Sequence, residues 1–359
     1  MRKLDIYIFK RFITTFLVAM VLIIGIVIIF DISEKVDYFV KNEAPIKAII
    51  FDYYMNFVPY FVNMFSPLFV FITVIFFTSR MAANSEFIAM LSGGISYSRI
   101  LVPYIACSVL IAMLSLGLNL YVIPKSNVTK TAFEQKYIKS RNKIKFRNVH
   151  YQIAPGQFVF VESFSKWNNT AYKFTLETVE NSRLKSKLEA DSAVWDSVKQ
   201  CWRLRNWFQR DYSPGLEDRI TSGERKDTTI ELTITDFYRN DKTVETLDIH
   251  DLNQLIATQN MRGDANVMFA EIELHNRFAM PFSAIILTIM GVCLSSRRKR
   301  GGIGWNLGIG IALAFSYILF QRFSQMFVLT GSMPAAIALW TPNMLFALIT
   351  VFLYTKAQK

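Results

Sequence analysis

The chain has 359 residues, of which 52% are apolar and 14% aromatic, with only 19% charged. A soluble domain carries roughly 25% charge, and here the shortfall is gathered into a few long stretches, which argues against an ordinary water-soluble fold. The net charge of +12 would suit a nucleic-acid partner only if it lined one accessible groove; instead it is spread over short segments between apolar runs.

Residues 12–30 form the first of six stretches without a charged residue, followed by 53–79, 100–124, 278–296, 301–321 and 323–355. A helix needs about 17–25 residues to cross a bilayer, and inside lipid the backbone has to satisfy its own hydrogen bonds. The sequence therefore predicts six transmembrane helices. The first is too long for a usual signal-peptide core and is followed by Phe30, Asp31, Ile32, Ser33, Glu34 and Lys35 rather than by a small-residue cleavage site, so it is expected to be retained. Residues 31–52 are expected to be a polar connection. If the N-terminus is cytoplasmic and the spans alternate, segments 1–11, 80–99, 297–300 and 356–359 face the cytoplasm. They hold 12 Lys and Arg against Asp5 and Glu86 alone, as the positive-inside rule requires. A turn around Gly331, Ser332, Met333 and Pro334 is expected within the last apolar run.

Between the third and fourth spans lies an insert, about residues 125–270, with a different period. Apolar and polar residues alternate over 150–153, 157–164, 172–180, 187–195, 200–208 and 229–235. Pro155-Gly156, Asn168-Asn169 and Pro214-Gly215 punctuate these runs, which predicts an all-β sandwich or jellyroll-like sheet. A helix over 252–259, with Asp251 as its N-cap, is expected to lead back to the membrane. The fold class is thus membrane α-helical, three plus three spans, with an inserted all-β domain. The divisions fall at 1–124, 125–270 and 271–359.

Several motifs are missing. The sequence holds no G-x-x-x-x-G-K-[ST] phosphate loop and no H-E-x-x-H metal site. His150, His250 and His275 lie apart, and Cys107, Cys201 and Cys293 form no disulfide or zinc spacing. The spans have no acid at mid-depth, where proton relays place one. No cofactor or metal is expected, no catalytic residue is assigned, and any transport has to draw its energy from another subunit.

The segment 79–96 carries Ser85 and Glu86 where a short helix would open, then Phe87, Met90 and Leu91 at helical spacing, and Gly93-Gly94 where it would stop. Two readings stand: an amphipathic helix, about 84–92, that docks into a groove of a partner, or a plain interfacial loop. This segment resembles the coupling-helix region of the YjgP/YjgQ family, the LptF and LptG permeases of lipopolysaccharide export. Four further stretches are similar: Leu4-Asp5-Ile6-Tyr7-Ile8-Phe9-Lys10-Arg11-Phe12, Asn119-Leu120-Tyr121-Val122-Ile123-Pro124, Glu273-Leu274-His275-Asn276-Arg277-Phe278-Ala279-Met280-Pro281 and Trp340-Thr341-Pro342-Asn343. Leu120 departs from the acidic residue often found there. The start of the chain and residues 31–35 are more similar to LptG than to LptF.

The resemblance implies a permease half that pairs with its sister subunit and is driven by a dimer of the ATPase LptB. It implies delivery of lipopolysaccharide through β-jellyroll domains to LptC and LptA. It also makes Glu86 the coupling carboxylate, with Ser85, Phe87 and Met90 beside it. An anionic lipid head needs cations near the outer surface; Lys35 and Arg322 have the right depth, with Lys41 and Lys47 as further candidates. The plainer alternative is that these residues anchor helix ends. The residues alone also fit another ABC-type permease or tethering subunit acting on lipoproteins or cell-wall enzymes.

Overall fold

The computed structural model describes residues 3–138, 146–165, 167–181, 183–212, 218–230, 232–237, 244–264, 266–296 and 302–357. The basic run 297–300 and Pro214-Gly215 lie outside them. The chain divides into two units: Met1–Ile138 with Glu245–Ile249 and Glu271–Lys359, and Lys139–Val244 with His250–Ala270.

Among the described residues the first unit contains six helices long and apolar enough to cross a membrane. Helix α1, Lys3–Lys41, does not stop at residue 30. No Gly or Pro follows until Pro45, and Asp31 pairs with Lys35 one turn on, so the expected polar connection is helical over its first half. After a turn in which Glu43 takes a left-handed φ of 50°, α2 runs Ile46–Ala83. It widens to a π-helical stretch at Ile49–Tyr54 and carries Pro59 and Pro67. The short α3, Glu86–Ser92, follows, and then α4, Tyr97–Ile138. This helix passes Pro124, where the sequence reading ended it. A π-helical turn at Leu118–Val122 directly precedes the proline and makes room for a ring that lacks an N–H.

The second unit holds a single six-stranded antiparallel meander: β1 Phe146–Ala154, β2 Gln157–Ser165, β3 Thr170–Glu180, β4 Arg183–Asp196, β5 Cys201–Asp211 and β6 Arg219–Thr228. Its first five strands fall where alternation predicted them. Gly156, at φ 76°, makes the first hairpin turn, and a Cβ there would lie 2.4 Å from the Val179 carbonyl oxygen. The sixth strand differs from expectation. β6 is an edge strand that is exposed along most of its length, so neither face is apolar and it carries no period-two signal. The alternating run 229–235 is not a strand. Its described residues lie outside the ladder and end in a 3-10 turn, Ile234–Phe237. Leu232 and Phe237 are fully buried against the sheet core of Val161, Phe174 and Trp202. The Leu232 carbonyl accepts from Trp202 Nε1 at 2.7 Å instead of from a neighbouring strand.

Helix α5, Ile249–Arg262, starts before the expected cap, so Asp251 sits in its first turn. Helices α6, Val267–Ser295, α7, Gly302–Leu329, and α8, Ala335–Ala357, complete the first unit. The turn at Gly331 and Pro334 divides the last apolar run as expected. In lipid, helices gain little from burying apolar surface against each other, and close approach matters more. Gly291 meets Val74 and Phe71, and Gly310 faces Ile75, which seats α6 and α7 on α2.

Candidate functional site

One end of the bundle, here called the base, is built from the start of α1, the end of α2, α3, the start of α4 and the end of α6. Helix α3 is entered through Ser85, which takes φ 59° and makes no side-chain cap. Phe87 turns inward and is 1% exposed, edge-on to Tyr97 with ring centroids 5.9 Å apart. Met90 packs half-buried against the same core. Ile88 and Leu91 turn outward, 49% and 41% exposed. The stripe read from the sequence is therefore divided: Phe87 and Met90 fasten α3 to the bundle, and Leu91 joins Ile88 on the free face.

Glu86 is held from two sides. Asn84 Nδ2 donates to Oε1 at 3.2 Å, and Tyr7 Oη donates to Oε2 at 3.2 Å. Tyr7 Oη in turn accepts from Arg11 at 2.6 Å. Asp5, 5% exposed, accepts from Arg99 at 2.7 Å. Sequence reasoning assigned Tyr7, Arg11 and Asp5 no role in the site, although the i, i+4 spacing of Tyr7 and Arg11 was visible. Their partner Glu86 lies 79 residues from Tyr7, and nothing local announces that contact.

At the opposite end, Lys35 is already engaged within the chain. Its ammonium donates to Asp31 and to the Tyr53 hydroxyl and lies over the Tyr53 ring at 4.9 Å. Tyr54 Oη also donates to Asp31, at 3.1 Å. Arg322 is exposed and donates to Gln325 at 3.3 Å; Lys41 and Lys47 are exposed. The candidate lipid-contacting cations thus differ in state, one locked and three open to the surroundings. Lys130, not singled out from sequence, lies 5.0 Å above the Tyr60 ring. The aromatics of α2 stack along one face, with Phe57 and Phe61 centroids 4.0 Å apart.

A buried polar chain crosses three spans near this end. Asn63 donates to Asn119 at 2.7 Å and accepts from Ser115 at 2.5 Å. Asn119 donates to the Arg277 carbonyl at 3.2 Å. The Arg277 guanidinium is 3% exposed and bonds Glu273 at 2.8 Å, while its two terminal nitrogens find no acceptor among the described residues. Nearby in the fold, Asn343 bridges α8 to the Ala279 carbonyl at 2.8 Å and accepts from Tyr317 at 2.9 Å. Asn119, Arg277 and Asn343 each fall in a stretch on which the family resemblance rests.

The family model for the lipopolysaccharide export system permease LptF/LptG matches residues 6–356, nearly the whole chain. No curated protein sequence matches it.

Proposed function

The chain belongs to the LptF/LptG family of lipopolysaccharide export permeases, and from that premise we propose that it is one half of a permease pair whose work is done by a separate ATPase. The observation that carries this reading is α3, a short helix fixed to the bundle by Phe87 and presenting Ile88 and Leu91 outward beside Glu86. An exposed apolar pair with an adjacent carboxylate suits docking into a partner groove that carries a cation. The base then faces the cytoplasm, in keeping with its basic segments, and the sheet domain lies in the periplasm.

On this reading α1 also has a partner in the membrane. Val21, Leu22, Ile29 and Phe30 are 64–72% exposed along it, as expected for a helix that meets lipid or a sister subunit. Lipopolysaccharide is taken up between the two permeases, with Arg322 and Lys41 available to its phosphates and the α2 aromatics to its acyl chains. Lys35, through its contact with Tyr53, serves chiefly to hold α1 against α2. The lipid then passes by the sheet domains to LptC and LptA. The similarity of the start of the chain and of residues 31–35 to LptG makes this the LptG-type half.

Purification from detergent with mass spectrometry of bound protein and lipid tests the proposal. An LptB-like ATPase, an LptF-type sister and lipid A should appear together, and Glu86→Lys should remove the ATPase. Normal assembly and lipid release by Glu86→Lys would show the coupling role to be wrong. Recovery of the bare chain with nucleotide turnover of its own would overturn the permease reading.

A further inference from the structure

The base holds two links between α1 and the segment that follows α2, and they differ in character. Asp5 and Arg99 join α1 to the start of α4 with the carboxylate buried, which makes a fixed joint. Tyr7 and Glu86 join α1 to α3 at the surface, where a contact can be exchanged for another of similar strength. Between them Arg11 sets the direction of the second link. Its guanidinium donates to Tyr7 Oη at 2.6 Å and lies 5.6 Å over the Tyr7 ring and 5.8 Å over Phe77. With its lone pair so occupied, the phenol points its own proton at the Glu86 carboxylate, forming a chain of charge-assisted hydrogen bonds.

We propose that Tyr7, oriented by Arg11, is a positioning residue that sets the Glu86 carboxylate and makes α1 move with α3. This rests on the coupling role given to Glu86 above. Helix α1 is continuous over 39 residues, so a displacement at Tyr7 reaches Lys35 about 42 Å away along one rod. The contacts of Lys35 with Tyr53 and of Asp31 with Tyr53 and Tyr54 then place the moving helix against α2 at the other end. A tilt imposed on α3 by a partner is in this way delivered to the wall of the bundle without a lever outside the chain.

The test uses the whole complex, permease pair with its ATPase, in liposomes containing lipopolysaccharide. Lipid released per ATP hydrolysed is compared for wild type, Tyr7→Phe, Arg11→Gln, Glu86→Gln and the Tyr7→Phe/Glu86→Gln pair. Tyr7→Phe should lower this ratio, by no more than Glu86→Gln does, with assembly and melting temperature retained. Adding it to Glu86→Gln should lower the ratio no further, since both act through one contact. A wild-type ratio for Tyr7→Phe while Glu86→Gln is impaired overturns the inference, as does a full additional loss in the double variant. Should Tyr7→Phe fail to assemble, Arg11→Gln decides: a reduced ratio supports the chain of contacts and an unchanged one refutes it. An unchanged ratio for Glu86→Gln itself would instead strike down the coupling reading on which this one stands.

Discussion

The helix bundle and the sheet are held together in opposite ways. In the sheet, every strand pairs with its sequence neighbours, from Phe146 through to Thr228, and water outside drives Trp202, Phe164 and Phe174 into one core. In the bundle, lipid is as apolar as the side chains, so burial alone does not choose one packing over another. The choice falls to glycines that permit close approach and to polar pairs between distant parts of the chain, such as Asn63 with Asn119 and Asn119 with Arg277. Polar residues in the bundle are thus the determinants of packing, whereas in the sheet they mostly decorate the surface.

Removing a polar partner from the bundle should have the largest effect. Glu273→Leu leaves the buried Arg277 guanidinium without its bonded carboxylate, and loss of one member of a buried pair costs about 3–5 kcal/mol. A large drop in melting temperature in detergent is expected, and a near-normal value would mean that the buried guanidinium does not depend on Glu273. Next comes the sheet. Trp202→Phe keeps most of the core volume but abolishes the bond to the Leu232 carbonyl, which should cost about 1–3 kcal/mol. Tryptophan fluorescence during denaturation reads it, and the ATPase association should be unaffected. A smaller loss, about 0.6–1.7 kcal/mol as for other hydrogen bonds between membrane helices, is expected for Asn63→Leu. Its melting temperature should fall by less than that of Glu273→Leu.

The smallest effect sharpens the contrast through pH. In the sheet, backbone donation from Lys199, backed by Val198 and the Arg203 charge, holds Asp196 below the usual carboxylate range. Asp227 is lowered by the Lys199 side chain and then by Arg203. Carboxylates with a lowered folded pKa contribute stability that is complete above the unfolded value of about 3.9 and is lost as pH falls through the folded one. The sheet should therefore soften only below about pH 4, and Asp196→Asn/Asp227→Asn should flatten that dependence in an acid titration followed by circular dichroism.

Much of this was readable in one dimension. The six spans follow from runs without charge, since a bilayer of fixed thickness leaves few alternatives, and five of the six strands follow from a period of two. The misplacement of the sixth has a physical cause. β6 is a polar edge with no buried face to enforce alternation, while 229–235 alternates because Leu232 has to reach the core, not because it pairs in a ladder. The extension of α1 to Lys41 was also signalled, by Asp31 and Lys35 at i, i+4, but a charge pair next to a span reads equally well as a loop.

The candidate site was legible in part. Sequence spacing put Glu86, Phe87 and Met90 on one short helix, and that helix is present. Periodicity finds an apolar stripe on a helix this short, yet the partner against which the helix rests decides which side is inward. Only the packing on Tyr97 turned Phe87 in and left Ile88 and Leu91 out.

The amino-acid sequence by itself determined the membrane class, the three-plus-three order and the β character of the insert, because these depend on local period and run length. Tertiary structure alone decided that Tyr7 meets Glu86, that Lys35 meets Tyr53, and that the Arg277 side chain is buried. Such contacts join residues by their positions on different helices or by the closing of a neighbouring wall, and neither is written in the order of the chain.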